Sequence, residues 1–323
     1  MYSSILKLTR EISTNLFKTN IMDFKIVAQK LSTKPQEEIK APQNTPIVQF
    51  KTLALSVPEP FVYHVKLNRP DKLNAINNTM WIEIGQCFNH LSGNADCRVI
   101  ILSGSGKIFT AGIDFKDMAS VGAKLAEHED VARRCKILTN TIKSYQDSLT
   151  ALEKCPKPVI GAIHGACVGG GVDLIAATDI RYCTSDAWFQ VKEVDIGMAA
   201  DVGTLQRLPR IIGSTSLVNE LAFTARKMDA DEAKSCGLVS KVYDSSETLL
   251  KEAVEVAKTI AAKSPVAIQG TKISLIYSRD HTVQEGLDHI AIWNQTMLQS
   301  EDFMNASVAQ ATKSEEPPIF SKL

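Results

Sequence analysis

Apolar and polar positions follow two different periods in the first part of the folded region. Residues 61–67 (FVYHVKL) alternate between the two kinds and are rich in β-branched and aromatic side chains, which predicts a strand. Residues 76–91 instead place their apolar side chains on one face of a predicted helix. The change of period predicts a strand that is followed by a helix.

Short apolar runs and longer helical stretches continue to alternate through the middle of the chain. The runs that are typical of buried strands are residues 99–102, 158–163 and 180–183. Residues 131–152 have helical spacing, and from residue 246 onward the patterns are helical. Strands that alternate with helices predict an α/β core, and the last part of the chain is predicted to be an appended helical element.

Glycine-rich turns follow two of the predicted strands. Residues 108–114 (IFTAGID) come after one strand, and residues 169–171 (GGG) come after another and begin a helix-like apolar segment. Glycine lets a ligand approach the backbone closely, and a helix N-terminus offers free N–H groups. If the two turns faced each other, they would direct two N–H donors at one oxygen, as in an oxyanion hole. The alternative is that they are only two tight turns.

Three acids lie in segments with little other polar character: Asp173, Glu193 and Asp201. Each has a structural alternative, because Asp173 could stabilise a helix dipole, Glu193 could pair with Lys192, and Asp201 could cap a helix. If the three acids shared one pocket, burial and mutual repulsion would raise at least one pKa. Such a carboxyl group is suited to proton transfer.

Several other signatures are missing from the sequence. The stretch SGSGK (103–107) is not a phosphate-binding loop, because no glycine lies five positions before Gly106 and Ile108 replaces the required Ser or Thr. The stretch GACVGGG lacks the glycine spacing of a dinucleotide-binding turn. No GxSxG nucleophile motif is present, which argues against a serine hydrolase of that type.

Composition and charge narrow the class of protein further. The 323 residues are 44% hydrophobic and 22% charged, as in a soluble globular protein, and the formal net charge is +0. This balance gives no general attraction to nucleic acid or anionic membrane, so we expect neither partner. The longest weakly polar run, residues 158–172, is too short and too rich in glycine to span a bilayer.

The seven cysteines are scattered, odd in number and free of CxxC pairs, which predicts reduced thiols that mostly serve packing. Cys155, His164 and Cys167 lie close in sequence but lack the paired spacing of a structural zinc site. We therefore expect no metal site.

Both ends of the chain have the character of targeting segments. The sequence ends in Ser321, Lys322 and Leu323, the tripeptide that a peroxisomal import receptor reads, after a polar stretch that we expect to be exposed. Basic and apolar residues alternate near the N-terminus, which resembles a mitochondrial presequence; a plain disordered extension is the alternative. The sequence therefore predicts a peroxisomal location and, through the N-terminal segment, a mitochondrial one.

Several segments, in this order, resemble the enoyl-CoA hydratase/isomerase (crotonase) superfamily. They are LNRPDKLNAI (67–76), FTAGIDFKDM (109–118), PKPVIGAIHGACVGGGVDL (156–174), DIRYCTSDAWFQVKEVDIG (179–197), GTLQRLPRIIG (203–213) and AFTARKMDADEAKSCGLVSKV (222–242). The resemblance covers roughly residues 50–310 and is specific, because several motifs occur in the order of the family.

The resemblance implies a spiral of ββα units with a C-terminal helical region that drives assembly into a homotrimer or homohexamer. It divides the chain into a targeting segment and linker (1–48), a spiral core (49–255), a helical region (256–310) and an exposed tail (311–323). It places the two oxyanion donors on the backbone N–H groups of Ile113 and Gly170. The substrate-binding residues that it implies are Ala111, Gly112, Ile113, Asp114, Phe115 and Gly170.

Within the superfamily the chain is most similar to the Δ3,5-Δ2,4-dienoyl-CoA isomerases, on the stretch EVDIGMAADVG (193–203). That resemblance implies an isomerase of fatty acid β-oxidation that moves a proton from C2 to C6 of a 3,5-dienoyl-CoA. Asp201 would be the base at C2 and Glu193 the acid at C6, while Asp173 would hold a water or tune the other two pKa values. The CoA thioester is the substrate, and we expect no metal or redox cofactor.

Two other functions remain open at this point. An enoyl-CoA hydratase or a Δ3,Δ2-enoyl-CoA isomerase would use the same fold. In a hydratase, Asp173 with Glu193 could hold the water that is added to the substrate. The presence of Asp201 argues against the hydratase. A non-catalytic RNA-binding scaffold of this fold is the alternative of another class. The zero net charge and the lack of a basic stripe argue against that alternative.

Overall fold

The computed structural model describes residues 48–323. The presequence-like segment and linker predicted for residues 1–48 lie outside the described residues, except for Val48. Between residues 48 and 323, none of the helices combines the length and the apolar character that crossing a membrane requires.

Two sheets organise the described part of the chain. The strands are β1 (Leu53–Glu59), β2 (Val62–Leu67), β3 (Val99–Gly104), β4 (Val159–Ile163), β5 (Ala166–Val168), β6 (Ile180–Thr184), β7 (Trp188–Gln190), β8 (Met228–Asp229) and β9 (Lys241–Tyr243). Six of them form the main sheet in the order β1-β2-β3-β4-β6-β9, and three form a smaller sheet in the order β5-β7-β8. β1 pairs antiparallel with β2, while β2, β3, β4, β6 and β9 are parallel to one another.

Helices follow most of these strands. They are α1 (Asn78–Ser92), α2 (Phe115–Ala126), α3 (Val131–Lys154), α4 (Gly170–Ala176), α5 (Thr204–Ile211), α6 (Thr215–Thr224), α7 (Ala230–Ser235), α8 (Ser246–Ala261), α9 (Pro265–Tyr277), α10 (Val283–Met297) and α11 (Glu301–Thr312). Two short 3₁₀ helices span Pro70–Lys72 and Glu193–Ile196. The helices predicted over 76–91 and 131–152 are confirmed as α1 and α3.

The central strands β3 and β4 of the main sheet are buried on both faces, and most of their side chains are apolar. In β3, Ile100 and Leu102 belong to the larger core with α1, while Val99 and Ile101 face a second core on the opposite side. Parallel strands need this cover on both faces, and their sequences are therefore apolar runs rather than alternating ones. The predicted α/β fold with a C-terminal helical region is confirmed.

Helix α8 supplies the cover on the second face of the sheet. Its buried residues recur at every fourth position: Leu249, Ala253, Ala257 and Ala261. The small alanine side chains let the helix lie close to the sheet. The boundary expected between residues 255 and 256 lies inside this helix, so the core continues to Ala261 and the appended helices are α9, α10 and α11.

The last residues return to the core. Most of the expected tail, residues 311–323, is exposed, but Phe320 is buried. The Arg98 guanidinium donates to the carbonyl of Phe320 at 2.7 Å, and the Lys157 ammonium donates to the carbonyl of Leu323 at 3.2 Å. The side chain of Lys322 forms an ion pair with Asp96 at 2.5 Å. The terminal tripeptide therefore lies against the core in this structure.

Lys272 attaches helix α9 to the core. Its side chain is only 4% exposed, and its ammonium forms an ion pair with Asp179 at 2.7 Å. The same ammonium donates to the carbonyls of Leu152 and Lys157 at 3.1 and 3.0 Å. Three acceptors satisfy all three donors of the buried ammonium, which offsets the cost of removing the charge from water.

Replacing this buried cation should destabilise the protein. Lys272→Met leaves Asp179 without its cation and two carbonyls without the ammonium donor, and we expect a loss of about 3 kcal/mol in the free energy of unfolding. Denaturant unfolding at a fixed protein concentration measures the loss.

Lys258→Met is a matched control, because the Lys258 ammonium is 44% exposed and pairs with Glu255 at 3.2 Å on the surface. This change should cost less than about 1 kcal/mol. Equal losses in the two variants would contradict the role given to Lys272.

Candidate active site

Two segments that follow parallel strands run side by side at one end of the sheet. The N–H of Thr110 donates to the carbonyl of Ala166 at 3.0 Å, and the N–H of Val168 donates to the carbonyl of Thr110 at 3.2 Å. These bonds pair Thr110 with Cys167 in a parallel bridge. Gly112, the residue before Ile113, lies beside Val168 and Gly169, the two residues before Gly170.

The close approach of the two segments depends on Gly112. Its φ is +89°, a conformation that L side chains rarely adopt. A Cβ at this position would lie only 2.8 Å from the carbonyl oxygen of Val168. Any larger residue would therefore push apart the two segments that carry Ile113 and Gly170.

The N–H groups of these two residues are available to a ligand. Ile76 bonds to both neighbours of Ile113, because its N–H donates to Gly112 at 2.7 Å and its carbonyl accepts from Asp114 at 3.0 Å. In such a parallel bridge the N–H of Ile113 points away from Ile76. Gly170 is the first residue of α4, where no helical carbonyl can accept its N–H. The geometry supplies two backbone donors at neighbouring positions.

Asp173 lies in the first turn of α4 and is completely buried. Its Oδ1 accepts the N–H of Thr204, the first residue of α5, at 2.5 Å. Its Oδ2 has no hydrogen-bond partner within the described residues. The helix-dipole alternative for Asp173 fits this position, and the bond to Thr204 gives the side chain a second role, in fixing the start of α5.

Glu193 begins the short 3₁₀ helix after β7 and is 9% exposed. Its Oε1 lies 3.2 Å from the position that a Cβ on Gly169 would occupy, which places the carboxyl group beside the turn that carries Gly170. Its Oε2 is buried without a hydrogen-bond partner among residues 48–323. Lys192, the partner that the structural alternative gave to Glu193, pairs instead with Asp195 at 2.9 Å.

Asp201 lies in the loop between this 3₁₀ helix and α5, and it is partly exposed. The cap of α5 is Gly203, so Asp201 does not serve as the helix cap that its structural alternative required. The backbone carbonyl of Asp201 accepts the side-chain amide of Gln146, from α3, at 2.6 Å.

The pKa values of the three acids indicate electrostatic coupling among them. Burial, and then repulsion by Asp173, raises the pKa of Glu193 to about 7, with a smaller contribution from Asp201. Burial raises the pKa of Asp173 to about 6, although hydrogen bonds from Thr204 oppose the shift. Burial also raises the pKa of Asp201, which is the most solvated of the three. Carboxyl groups whose pKa is raised in this way can hold a proton closer to neutral pH than free carboxyl groups do.

The segment that the family resemblance assigns to substrate leads into helix α2. Asp114 caps this helix by accepting the N–H of Lys116 at 3.1 Å. The Arg69 guanidinium bonds Asp114 at 2.9 Å and lowers the pKa of that carboxyl group. Phe115, the first residue of α2, is 61% exposed and lies at the surface beside this turn. Arg69 thus holds the turn from which Ile113 presents its N–H, a role that sequence reasoning missed.

Aromatic residues form the wall behind Gly170. The ring of Trp81 lies 3.2 Å from the position of a Cβ on Gly170, and it stacks on Tyr145 with 4.8 Å between ring centroids. Trp81 comes from α1 and Tyr145 from α3, so the contact depends on helix packing. The helical spacing of residues 76–91 predicted the helix that contains Trp81 but gave no sign of its place at the site.

The thiols considered as potential metal ligands are buried. Cys155 and Cys167 are buried and free, and burial raises the pKa of each thiol. Among residues 48–323, no group of three or more His, Cys, Asp or Glu side chains could hold a metal ion.

Comparisons with known proteins agree on one family. The family model described as enoyl-CoA hydratase/isomerase matches residues 59–312. A protein of Rattus norvegicus named Delta(3,5)-Delta(2,4)-dienoyl-CoA isomerase, mitochondrial, is 50% identical over 319 residues, 98% of this chain and 97% of its own. A protein of Arabidopsis thaliana named Delta(3,5)-Delta(2,4)-dienoyl-CoA isomerase, peroxisomal, is 48% identical over 262 residues, 81% of this chain and 93% of its own.

The fold comparison gives the same result. The crystal structure of an enoyl-CoA hydratase from Bacillus anthracis superimposes with a TM-score of 0.75 and 27% identity, and covers 84% of this chain and 99% of its own. The resemblance inferred from the sequence motifs is thereby confirmed. The chain belongs to the enoyl-CoA hydratase/isomerase family.

Proposed function

We propose that this protein is a Δ3,5-Δ2,4-dienoyl-CoA isomerase, which converts a 3,5-dienoyl-CoA into a 2,4-dienoyl-CoA in the β-oxidation of unsaturated fatty acids. The observation that carries the proposal is the electrostatic coupling of Glu193 with Asp173 and Asp201, next to the turn at Gly169 that leads into α4. The names of relatives that are 50% and 48% identical support the isomerase over the hydratase.

The first step is removal of a proton from C2, which the neighbouring thioester acidifies. Negative charge then develops on the thioester oxygen and spreads along the diene to C6. The N–H groups of Ile113 and Gly170 stabilise this oxygen, a contribution of about 3 kcal/mol for each donor in comparable sites. The glycine-containing turns at Gly112 and Gly169 let the thioester reach these donors.

Two carboxyl groups in opposite protonation states move the proton. Asp201 is the most solvated of the three acids, which favours its ionised form and suits it as the base at C2. Glu193 has a pKa of about 7, so its protonated form is populated near neutral pH and can donate to C6. After one turnover Asp201 holds the C2 proton and Glu193 is ionised, and exchange with water resets both groups. Each transfer contributes roughly 10²–10⁴-fold to the rate.

Asp173 acts on the pKa of Glu193. Its repulsion is the second-largest cause of the raised pKa of Glu193, after burial. Its bond to Thr204 also anchors α5 directly after the Asp201 loop. These two observations support the tuning role rather than a role in holding water.

The CoA thioester provides the electron sink, so the proposed chemistry requires no metal or redox cofactor. Ala111, Gly112, Ile113, Asp114 and Phe115, together with Gly170, are the proposed substrate-binding residues. The proposed assembly is a homotrimer or homohexamer built through the C-terminal helices. Exposed apolar side chains on α9 and α10 support that assembly: Leu275, Val283, Leu287 and Ile292.

The proposed locations are the peroxisome and the mitochondrion. Relatives named for each organelle support both. The peroxisomal import receptor would read Ser321, Lys322 and Leu323, and the N-terminal segment would direct mitochondrial import.

Replacing the proposed base should stop the reaction without preventing binding. Asp201→Asn cannot take the C2 proton, and we expect kcat to fall by at least about 10³-fold while acyl-CoA still binds. The measurement is the ultraviolet absorbance of the conjugated 2,4-dienoyl thioester that forms from a 3,5-dienoyl-CoA. Hydration of an enoyl-CoA would instead remove the absorbance of the conjugated enoyl thioester. The assay therefore distinguishes an isomerase from a hydratase.

Asp195→Asn serves as the control, because Asp195 is exposed and pairs with Lys192. It should retain the activity of the unchanged protein. Full turnover by Asp201→Asn would exclude Asp201 as the base.

Crowding the turn before Ile113 should impair the oxyanion donors. In Gly112→Ala the added Cβ meets the carbonyl oxygen of Val168 at 2.8 Å and must displace it, so we expect kcat to fall by about 10²-fold. Gly122→Ala, in α2, is the control because a Cβ there meets nothing within 4 Å. Steady-state kinetics on the dienoyl substrate compare the two, and equal activity would argue against the oxyanion assignment.

The pH profile should report the coupling between Asp173 and Glu193. Since Glu193 must be protonated to act as the acid, kcat/KM should fall as pH rises through about 7. Asp173→Asn removes the repulsion but keeps an oxygen that accepts from Thr204, so the pKa of Glu193 should decrease. The falling limb should therefore move to lower pH. A limb that stays in place or moves upward would contradict the tuning role of Asp173.

A further inference from the structure

Arg207 lies one helical turn beyond the Asp201 loop, in α5. Its guanidinium bonds the carboxylate of Glu153 at 2.9 and 3.1 Å and donates to the hydroxyl of Thr150 at 3.1 Å. Both partners belong to the end of α3. The side chains of Arg207 and Glu153 are only 14% and 17% exposed, so the pair is well shielded from water and salt.

The same guanidinium covers the backbone of Gly203. A Cβ on Gly203 would lie 2.0 Å from Nη1 of Arg207, so the side chain of Arg207 occupies the space beside this glycine. Gly203 has a φ of +139° and follows Asp201 by two residues. The backbone N–H of Arg207 also donates to the carbonyl of Gly203 at 2.9 Å. The turn that ends the Asp201 loop is therefore held against Arg207.

Helix α3 holds the other side of the loop through Gln146. The amide of Gln146 donates to the carbonyl of Asp201 at 2.6 Å. Glu153 lies two turns further along the same helix and holds Arg207. One rigid helix thus contacts the loop through Gln146 at Asp201 and through the Arg207 side chain at Gly203.

Glu153 also connects this arrangement to the C-terminal helices. Its second oxygen accepts Arg279, which follows α9, at 2.6 Å. Glu153 therefore keeps a charged partner if Arg207 is removed. A substitution of Arg207 therefore tests its contact with the Asp201 loop without leaving the Glu153 carboxylate unpaired.

We propose that Arg207, held by Glu153, and Gln146 are positioning residues that fix the Asp201 carboxylate for proton removal at C2. The proposal rests on the proposed isomerase function. A base must lie within hydrogen-bond reach of the carbon-bound proton, and a displacement of about 1 Å can cost about 10²-fold in rate. The contacts that support this role reach the backbone of the loop, at the carbonyl of Asp201 and at Gly203, and Arg207 also acts electrostatically on Asp173.

The experiment measures kcat, KM and the isotope effect of substrate that carries deuterium at C2. Arg207→Met and Gln146→Leu should each lower kcat by about tenfold to a hundredfold and change KM by less than about threefold. Because the lost contact slows proton removal, the isotope effect on kcat should rise. A variant that merely unfolds in part would lose kcat with the isotope effect unchanged.

Conservative and matched variants complete the design. Arg207→Lys keeps a cation near Glu153 without the planar fork, so its kcat should lie between those of the unchanged protein and Arg207→Met. Arg210→Met is the control, because Arg210 lies one turn further along α5 and forms an exposed ion pair with Asp280 at 2.9 Å. Its kcat and isotope effect should match those of the unchanged protein. Gln146 is exposed, so Gln146→Leu remains folded if Arg207→Met does not.

Unchanged kcat in both Arg207→Met and Gln146→Leu would overturn the positioning proposal, and so would a lower kcat with an unchanged isotope effect. A loss of equal size in Arg210→Met would overturn it as well. Failure of the unchanged protein to convert any 3,5-dienoyl-CoA would contradict the proposed function instead, so the two failures are distinguishable.

Discussion

The close approach of two turns, at Gly112 and at Gly169, is the constraint on which the site depends. The carbonyl of Val168 lies where a Cβ on Gly112 would be in contact at 2.8 Å, so only glycine permits this distance. The parallel bridge between Thr110 and Cys167 sets the register of the two segments. The two proposed N–H donors, Ile113 and Gly170, follow paired segments that are more than 50 residues apart in the chain.

The acids are then arranged around these donors in an environment that is unfavourable to charge. Asp173 is completely buried and has one unpaired oxygen, and Glu193 has another within the described residues. Unpaired buried oxygens cost stability unless the group is protonated or meets a ligand. The raised pKa values of Glu193 and Asp173 show that protonation relieves part of this cost. The same unfavourable burial provides a carboxyl group that can donate a proton near neutral pH.

Helix α3 has a second role beyond covering the core. Leu149 and Leu152 pack into the apolar core, while Tyr145, Gln146 and Glu153 contact elements of the site. Glu153 joins α5 to the segment after α9 through Arg207 and Arg279. The carboxylate of Glu153 therefore links the segment after α9 to the helix that follows the loop of Asp201.

Much of the fold could be predicted from periodicity, because buried parallel strands and amphipathic helices have different apolar patterns. The strands at 99–102, 158–163 and 180–183 and the helices at 76–91 and 131–152 were found in this way. The boundary near residue 255 could not be found, because α8 has the same alanine-rich face throughout and only the sheet beneath it shows that it belongs to the core.

The sequence by itself determined the glycine turns, the three acids and the family, since these depend on residue types at fixed spacing along the chain. Only the tertiary structure decided that the acids are electrostatically coupled, because their coupling depends on distances between α4, the 3₁₀ helix and the loop before α5. It alone also placed Trp81 behind Gly170 and Arg207 over Gly203. The sequence around an aromatic ring or a guanidinium does not indicate such a contact, since the contact is made by residues from distant parts of the chain.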